Sequence, residues 1–297
     1  ASITYDQKEG YPPLRINGKQ LDGGEVSLPA NISSQYISAL LLIAPKLTKG
    51  LVIHLEGEIT SLPYIKMSLA LLERIGISTT FDGTSIRVPY QADIVPQQQI
   101  VESDWSSASY WFSSLALCME GELTLSSYRK DSLQGDRVLL DIYQKLGVES
   151  YFGAEGLQLK KVKGFVLPSR LELDLVEAPD IAQTIAVSCY GLGVECILTG
   201  LHTLKIKETD RLLALEKELG KLGATITVTN DSLHLSPVQN FQKGQAIDTY
   251  HDHRMAMAFA PLGLKIPLEV NDADVVTKSY PSFWEDMQHA GFQIVEK

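Results

Sequence analysis

Four polar helix starts recur along this chain at nearly constant spacing, and each opens an almost wholly apolar run. They are Ser33-Ser34-Gln35, Ser106-Ser107, Asp180 and Asp252-His253-Arg254; markers at 34, 107, 180 and 252 lie 73, 73 and 72 residues apart. Polar residues ahead of an apolar run read as helix N-termini. Strand candidates follow at 51–55, 122–126, 194–199 and 268–270. A second, amphipathic helix then runs to Gly76, Gly147, Gly223 and Gly291, where glycine suits a left-handed C-cap. Leu212, Leu215, Leu219 and Leu222 show the helical apolar spacing in the third unit. After the first three glycines comes an alternating pair with a turn, as at 77–88, where Asp82-Gly83 is a hairpin signal. The predicted unit is therefore helix, strand, helix, strand, strand.

These units are longer than common solenoid repeats, and their first helices read as apolar on every face. The expected fold is α/β (α+β): repeated β/α units about a shared centre, inner helices covered by outer sheets. That layout lets the polar starts of the inner helices converge on one cleft. A boundary near Glu102-Ser103-Asp104 divides the chain into expected domains 1–103 and 104–297.

A chain of 297 residues is long enough for two ordinary domains. Its formal charge of −10 argues against broad nucleic-acid binding and against attachment to anionic membranes. Any anion site must be a local cationic pocket on an acidic body. Cys118, Cys189 and Cys196 show no metal-like spacing and read as reduced thiols of a cytoplasmic protein. No apolar run reaches the roughly 20 residues needed to span a bilayer, and the first residues lack a signal-peptide pattern.

The sharpest chemical signal is Lys207-Glu208-Thr209-Asp210-Arg211. Cations beside a carboxylate, where unpaired helix N–H groups add positive potential, make an anion receptor with a proton carrier at hand. The bland alternative is a solvated helix start with Glu208 paired to Arg211; on a helix, Lys207 and Arg211 would also repel mildly. In Asp252-His253-Arg254 the arginine would enter the first turn of a buried helix and needs a carboxylate or bound anion there. Asp252 also reads as an N-cap, as do Asp180, Ser33 and Ser34, with Gln35 beside them. His251 and His253 lack a third metal ligand. Arg15, Lys278, Ser61 and Tyr64 sit near prolines and are weaker candidates. No Walker-type phosphate loop, dinucleotide fingerprint, nucleophile elbow or Cys/His dyad is evident. The residues point to an enzyme acting on small phosphorylated or carboxylated molecules without metal or nucleotide.

Together these segments resemble the 5-enolpyruvylshikimate-3-phosphate (EPSP) synthase family, the 3-phosphoshikimate 1-carboxyvinyltransferases. Tyr11-Pro-Pro-Leu-Arg15, Ser33-Ser34-Gln35, Ser61-Leu-Pro-Tyr64, Asp104-Trp-Ser-Ser-Ala-Ser-Tyr110, Pro179-Asp180, Lys205-Ile-Lys-Glu-Thr-Asp-Arg211, Asp252-His-Arg-Met-Ala-Met257 and Lys278 occur in family order. The resemblance implies a two-domain inside-out barrel of the enolpyruvyl transferase type, with 1–103 part of the first domain and 104–297 the second. It implies transfer of the carboxyvinyl group of phosphoenolpyruvate to the 5-hydroxyl of shikimate 3-phosphate, releasing phosphate, in aromatic amino acid biosynthesis, without cofactor or metal.

By the same resemblance Ser33, Ser34, Gln35, Ser61, Tyr64, Thr203 and Lys207 would hold shikimate 3-phosphate. Arg15, Arg211, Arg254 and Lys278 would hold phosphoenolpyruvate, with Gln35 touching both. Asp180 would take the hydroxyl proton, and Glu208 and Lys278 would serve the methylene carbon. Thr203 replaces a usual Asn, and Leu204-Lys205 a common Trp-Arg. The family's opening Lys-Ser…Arg motif and Asn-Ala-Gly-Thr loop are missing, so a weakly active or inactive chain is expected. The small molecules are the expected partners of a monomer. The alternatives are the sister transfer to UDP-N-acetylglucosamine and a non-catalytic binding module of the same fold.

Overall fold

A computed structural model describes residues 2–31, 33–237 and 240–296. Two compact units are present, Ala1–Gln99 and Ile100–Lys297, each with its own apolar core.

The first unit opens with an antiparallel pair, β1 (Ser2–Tyr5) and β2 (Leu14–Asn17), in which Ser2 faces Asn17. Next come β3 (Gly24–Pro29), α1 (Ser34–Ile43), β4 (Leu51–Glu56), α2 (Leu62–Arg74), β5 (Thr80–Phe81) and β6 (Ser85–Val88). They form a sheet of order β3-β4-β6-β5, parallel between β3 and β4 and antiparallel elsewhere. Alternation along β4 sends Leu51, Ile53 and Leu55 into the core, where Ile37, Leu41, Ile65, Leu69 and Ile86 meet them. Each such side chain contributes roughly 1.5–3 kcal/mol by leaving water.

In the second unit α3 (Trp105–Leu117) leads to β7 (Glu122–Leu125), α4 (Leu139–Gln144), β8 (Val148–Gly153) and β9 (Gly156–Lys161), an antiparallel sheet of order β7-β9-β8. The pattern of the first unit then returns. β10 (Arg170–Asp174), α5 (Ala182–Leu192), β11 (Glu195–Thr199), α6 (Arg211–Lys221), β12 (Ile226–Val228) and β13 (Leu233–Leu235) give the order β10-β11-β13-β12, again with the first two strands parallel. Last come β14 (Ala246–Ile247), α7 (His253–Phe259), β15 (Glu269–Val270) and α8 (Phe283–His289), with β14 parallel to β15.

Two expectations need correction. A strand precedes the inner helix in three repeats (β3, β10 and β14), pairs in parallel with the strand after it, and completes a β-α-β crossover. Strands of two to six residues leave a weak periodic signal. The inner helices also differ in burial. Among the described residues, α3, α5 and α7 are buried almost throughout, whereas α1 buries only Ser34, Ile37 and Leu41. Within its own unit α1 packs on α2 and the sheet, so Tyr36, Leu42 and Ile43 stay exposed. The terminating glycines behave as expected: Gly76, Gly147, Gly223 and Gly291 have φ of 86°, 81°, 93° and 100°.

Small residues let the inner helices of the second unit approach closely. A Cβ on Gly191 of α5 would sit 2.5 Å from Leu117 Cδ2 and 2.8 Å from Leu262 Cδ2. Hydroxyls cross the α3–α5 seam: Ser109 meets Thr184 at 3.0 Å, and Ser188 donates to Ser113 at 2.8 Å. Tyr143 of α4 joins Ser188 at 2.8 Å. These pairs satisfy buried polar groups and bring the starts of α3, α5 and α7 to one end of the bundle.

Candidate functional site

The second unit gathers Lys207, Arg211 and Arg254 around Asp180, Glu208 and Asp252 at the amino-terminal ends of its helices. Arg211 opens α6, capped by Asp210, and its side chain is only 2% exposed. Its guanidinium donates from Nε to Asp252 Oδ2 at 2.7 Å, from Nη1 to Asp180 Oδ1 at 3.0 Å and from Nη2 to Glu208 Oε2 at 2.7 Å. One planar fork thus joins segments ahead of three helices, a task to which an ammonium is poorly matched. Asp252 has a second duty as the N-cap of α7, accepting the Arg254 N–H at 2.9 Å.

Arg254, in the first turn of α7, reaches the other oxygen of Asp180: Nη2 lies 3.4 Å from Oδ2, and Nη1 is 3.3 Å from the Asp180 carbonyl. Lys207 Nζ stands 3.5 Å from Asp180 Oδ1. Burial works to raise the Asp180 pKa, but Arg254, Lys207 and Arg211 outweigh it and hold the carboxyl well below the usual range. For Arg254 burial opposes the charge, yet Asp180, Tyr110 and Asp136 raise its pKa further. His253 is pushed below its ordinary 6.5 by burial and then by Arg254, against Asp252 and Glu208, so it is neutral near pH 7.

Lys207 and Glu208 lie ahead of α6, after a short turn of 3-10 helix (His202–Ile206), so the four-residue repulsion expected on a helix does not arise. Thr203 is buried in that turn, and its Oγ1 has no hydrogen-bond partner among the described residues. Lys278 ends another 3-10 segment, Ala273–Lys278. It touches none of the three carboxylates at ion-pair distance; its Nζ donates to the His251 carbonyl at 2.7 Å, one residue from Asp252.

That carbonyl belongs to a strained turn. Tyr250 and His251 both take left-handed conformations, φ 55° and 57°, which cost on the order of 1 kcal/mol or more apiece. Tyr250 is anchored by its hydroxyl on Glu218 Oε1 at 2.6 Å, and Asp252 N donates to the Thr249 carbonyl at 2.9 Å. Glu218 is fully buried in α6 and also accepts from Lys221 and from the Asp248 N–H. The strain is thus sustained by a hydrogen-bonded brace behind Asp252.

The other candidates lie in the first unit. Arg15 sits on β2, largely exposed, 3.7 Å from Asp6. Ser33 caps α1 by accepting the Gln35 N–H at 3.2 Å; Ser34 is buried and Gln35 exposed. Ser61 precedes α2 with φ 53° and no side-chain capping bond, while Tyr64 donates its N–H to the Ser61 carbonyl. A left-handed serine there is a second strained position beside a helix start.

Sequence reasoning missed several members of this constellation. Asp252 was read as a cap, with no sign that it also grips Arg211. Ser106 marks a polar helix start, but Asp104 is the cap of α3, and Ser106 faces Arg254 and Asp136 instead. Nothing around Gln134-Gly-Asp-Arg137 singled out Asp136. Among the described residues, no group of three or more His, Cys, Asp or Glu is placed to hold a metal, and no helix is long and apolar enough to cross a membrane.

The family model EPSP synthase (3-phosphoshikimate 1-carboxyvinyltransferase) matches residues 1–287. A 3-phosphoshikimate 1-carboxyvinyltransferase of Bacteroides fragilis is 43% identical over 300 residues, covering 99% of this chain and 72% of that protein. One from Haemophilus influenzae is 33% identical over 293 residues, covering 97% and 66%. Among solved structures, an EPSP synthase from Acinetobacter baumannii superposes with a TM-score of 0.76 at 22% identity, covering 98% of this chain and 68% of that one.

Proposed function

Because the chain belongs to the EPSP synthase family, we propose that it transfers the carboxyvinyl group of phosphoenolpyruvate to the 5-hydroxyl of shikimate 3-phosphate, with release of phosphate. The observation that carries this reading is Asp180, a carboxylate with Arg211, Arg254 and Lys207 within 3.0–3.5 Å. Such a group suits a reaction joining two anions, because cations that hold a base ionised at rest can turn to incoming phosphate and carboxylate groups. As they do so, Asp180 loses partners, its proton affinity rises, and it becomes a better acceptor for a hydroxyl proton.

On this reading Lys207 and Thr203, together with Ser33, Ser34, Gln35, Ser61 and Tyr64, hold shikimate 3-phosphate. Arg15, Arg211, Arg254 and Lys278 hold phosphoenolpyruvate. Glu208 and Lys278 exchange protons at the methylene carbon. Positive charge fixed ahead of time at helix ends stabilises the charge that develops during addition. The unpartnered Thr203 hydroxyl supports its place in the ligand set. The reading also divides the chain at 103/104 into a part of the first transferase domain and the second domain. It further takes the protein to be a monomer in the cytoplasm, and three free cysteines support that compartment.

Phosphate release from phosphoenolpyruvate that depends on shikimate 3-phosphate tests the proposal. Asp180→Asn should lower turnover by about 10²–10⁴-fold, the usual range for a general base. Release with UDP-N-acetylglucosamine instead would favour the sister transfer. No calorimetric binding of either shikimate-pathway ligand would leave a non-catalytic module.

A further inference from the structure

Asp136 lies on a short 3-10 turn (Gly135–Val138) ahead of α4 and is wholly buried. Two side-chain bonds pin that turn to the start of α3: Trp105 N donates to Gln134 Oε1, and Gln134 Nε2 donates to the Ser103 carbonyl, both at 2.9 Å. Asp136 Oδ2 accepts from Ser106 Oγ at 2.5 Å, while Oδ1 has no partner among the described residues. The same Ser106 oxygen lies 3.4 Å from Arg254 Nη2. A continuous path therefore runs from Asp136 through one hydroxyl to a guanidinium that also faces Asp180.

Apolar burial of a carboxyl with a single hydrogen bond is costly unless something is gained by keeping it. Among the buried residues of α3, α5 and α7 there is no acid: apolar and hydroxyl side chains predominate, with Gln183 and His253 beside them. We propose that Asp136 is a positioning residue which, through Ser106, sets where the Arg254 guanidinium points and how much of its charge an incoming anion meets. The proposal rests on the reading of Arg254 as a phosphoenolpyruvate ligand, and it adds a control on that ligand which no residue of the first set supplies.

The charges facing Asp136 are Asp180 ahead of α5, Arg254 on α7 and Asp104 at the cap of α3. Burial pushes the carboxyl up to about 6, the Ser106 bond opposes that shift, and Asp180 adds to it. Ionised, Asp136 draws on Arg254; protonated, it leaves the guanidinium to Asp180 and the ligand. Anion binding beside Arg254 therefore favours proton uptake at Asp136, and affinity falls as pH rises through its midpoint.

The test has two arms. In the first, carbon-detected NMR follows the Asp136 carboxyl and nitrogen NMR follows the Arg254 guanidinium of the full chain between pH 4.5 and 8, a window chosen to bracket the midpoint near 6. The Arg254 signals should titrate with the Asp136 midpoint, lose that step in Ser106→Ala, and recover it in Ser106→Thr. Arg254 signals that ignore Asp136, or follow it equally well without the hydroxyl, overturn the proposal. The second arm measures phosphoenolpyruvate affinity in the presence of shikimate 3-phosphate. Ser106→Ala should shift it by up to roughly tenfold, the worth of one hydrogen bond, and remove its fall with rising pH, without changing shikimate 3-phosphate affinity. A phosphate group titrates near pH 6 itself, so the pH dependence is read as the difference between wild type and Asp136→Asn. Equal pH profiles for those two proteins also count against the idea, as does equal weakening of both ligands with a lowered Tm. If Arg254→Ala leaves phosphoenolpyruvate affinity unchanged, the ligand reading of Arg254 falls, while the NMR arm still decides whether Asp136 steers it.

Discussion

Arg211 offers a quantitative test of how the charge cluster is held. Its side chain is 2% exposed, and one of its partners, Asp252, is fully buried. Arg211→Ala removes three hydrogen bonds of 2.7–3.0 Å to three carboxylates. Asp180 keeps Arg254 and Lys207, and Glu208 is solvated, so the main penalty falls on Asp252 left without its guanidinium. Breaking a buried pair by removing one partner typically costs about 3–5 kcal/mol. Asp252→Asn alone should cost less, because its amide oxygen can still accept from the Arg254 N–H. The double variant should lose about 2 kcal/mol less than the sum of the singles, since it strands no buried charge.

Trp105, Trp111 and Trp284 all lie in the second unit, so tryptophan fluorescence during urea unfolding reports on that unit alone. Penalties that add to within about 0.5 kcal/mol, the level seen for independent sites, would refute the claim that Arg211 and Asp252 form one desolvated pair. Arg211→Lys should fall between wild type and Ala, because an ammonium keeps the charge but cannot span three acceptors in a plane.

Lys278 is exposed and, among the described residues, bonds only a carbonyl, so Lys278→Ala should change stability by less than about 0.5 kcal/mol, yet reduce phosphate release strongly; an unchanged rate removes Lys278 from the proposed chemistry. Asp136, raised from 3.8 to about 6, binds its proton more tightly folded than unfolded. Its contribution therefore stabilises the fold below about pH 4 and is lost as pH rises through 6, by at most about 3 kcal/mol. The difference in stability between wild type and Asp136→Asn should change across that interval in urea titrations and stay flat above it. Gly191→Ala should destabilise the second unit by about 1–3 kcal/mol, because the new methyl meets Leu117 and Leu262; an unchanged Tm would show that the seam is looser than described.

What the sequence disclosed followed the strength of its local signals. The 72–73-residue period, the left-handed glycines and the leucines of α6 could be read directly, because helix periodicity and chain reversal each leave a residue-level mark. The convergence of Asp180, Lys207, Arg211 and Arg254 followed from placing cations and acids at helix starts. Short strands were legible only where they fell in the expected order after an inner helix, as β15 does and β14 does not. The exposed face of α1 was misread because an apolar composition does not say which neighbours are present. Asp136, Ser106 and Glu218 stayed hidden for another reason: their meaning lies in contacts between segments 30–148 residues apart.

The hydroxyl pairs between α3 and α5 have a further consequence. Apolar side chains tolerate sliding, because one methyl substitutes for another, whereas Ser109–Thr184 and Ser113–Ser188 match only at one axial setting. A slip of one turn, about 5.4 Å, would break both pairs and let only one re-form, between Ser109 and Ser188 or between Ser113 and Thr184. The bundle's polar rungs therefore act as a vernier, fixing at a distance the height at which Ser106 and Asp180 emerge.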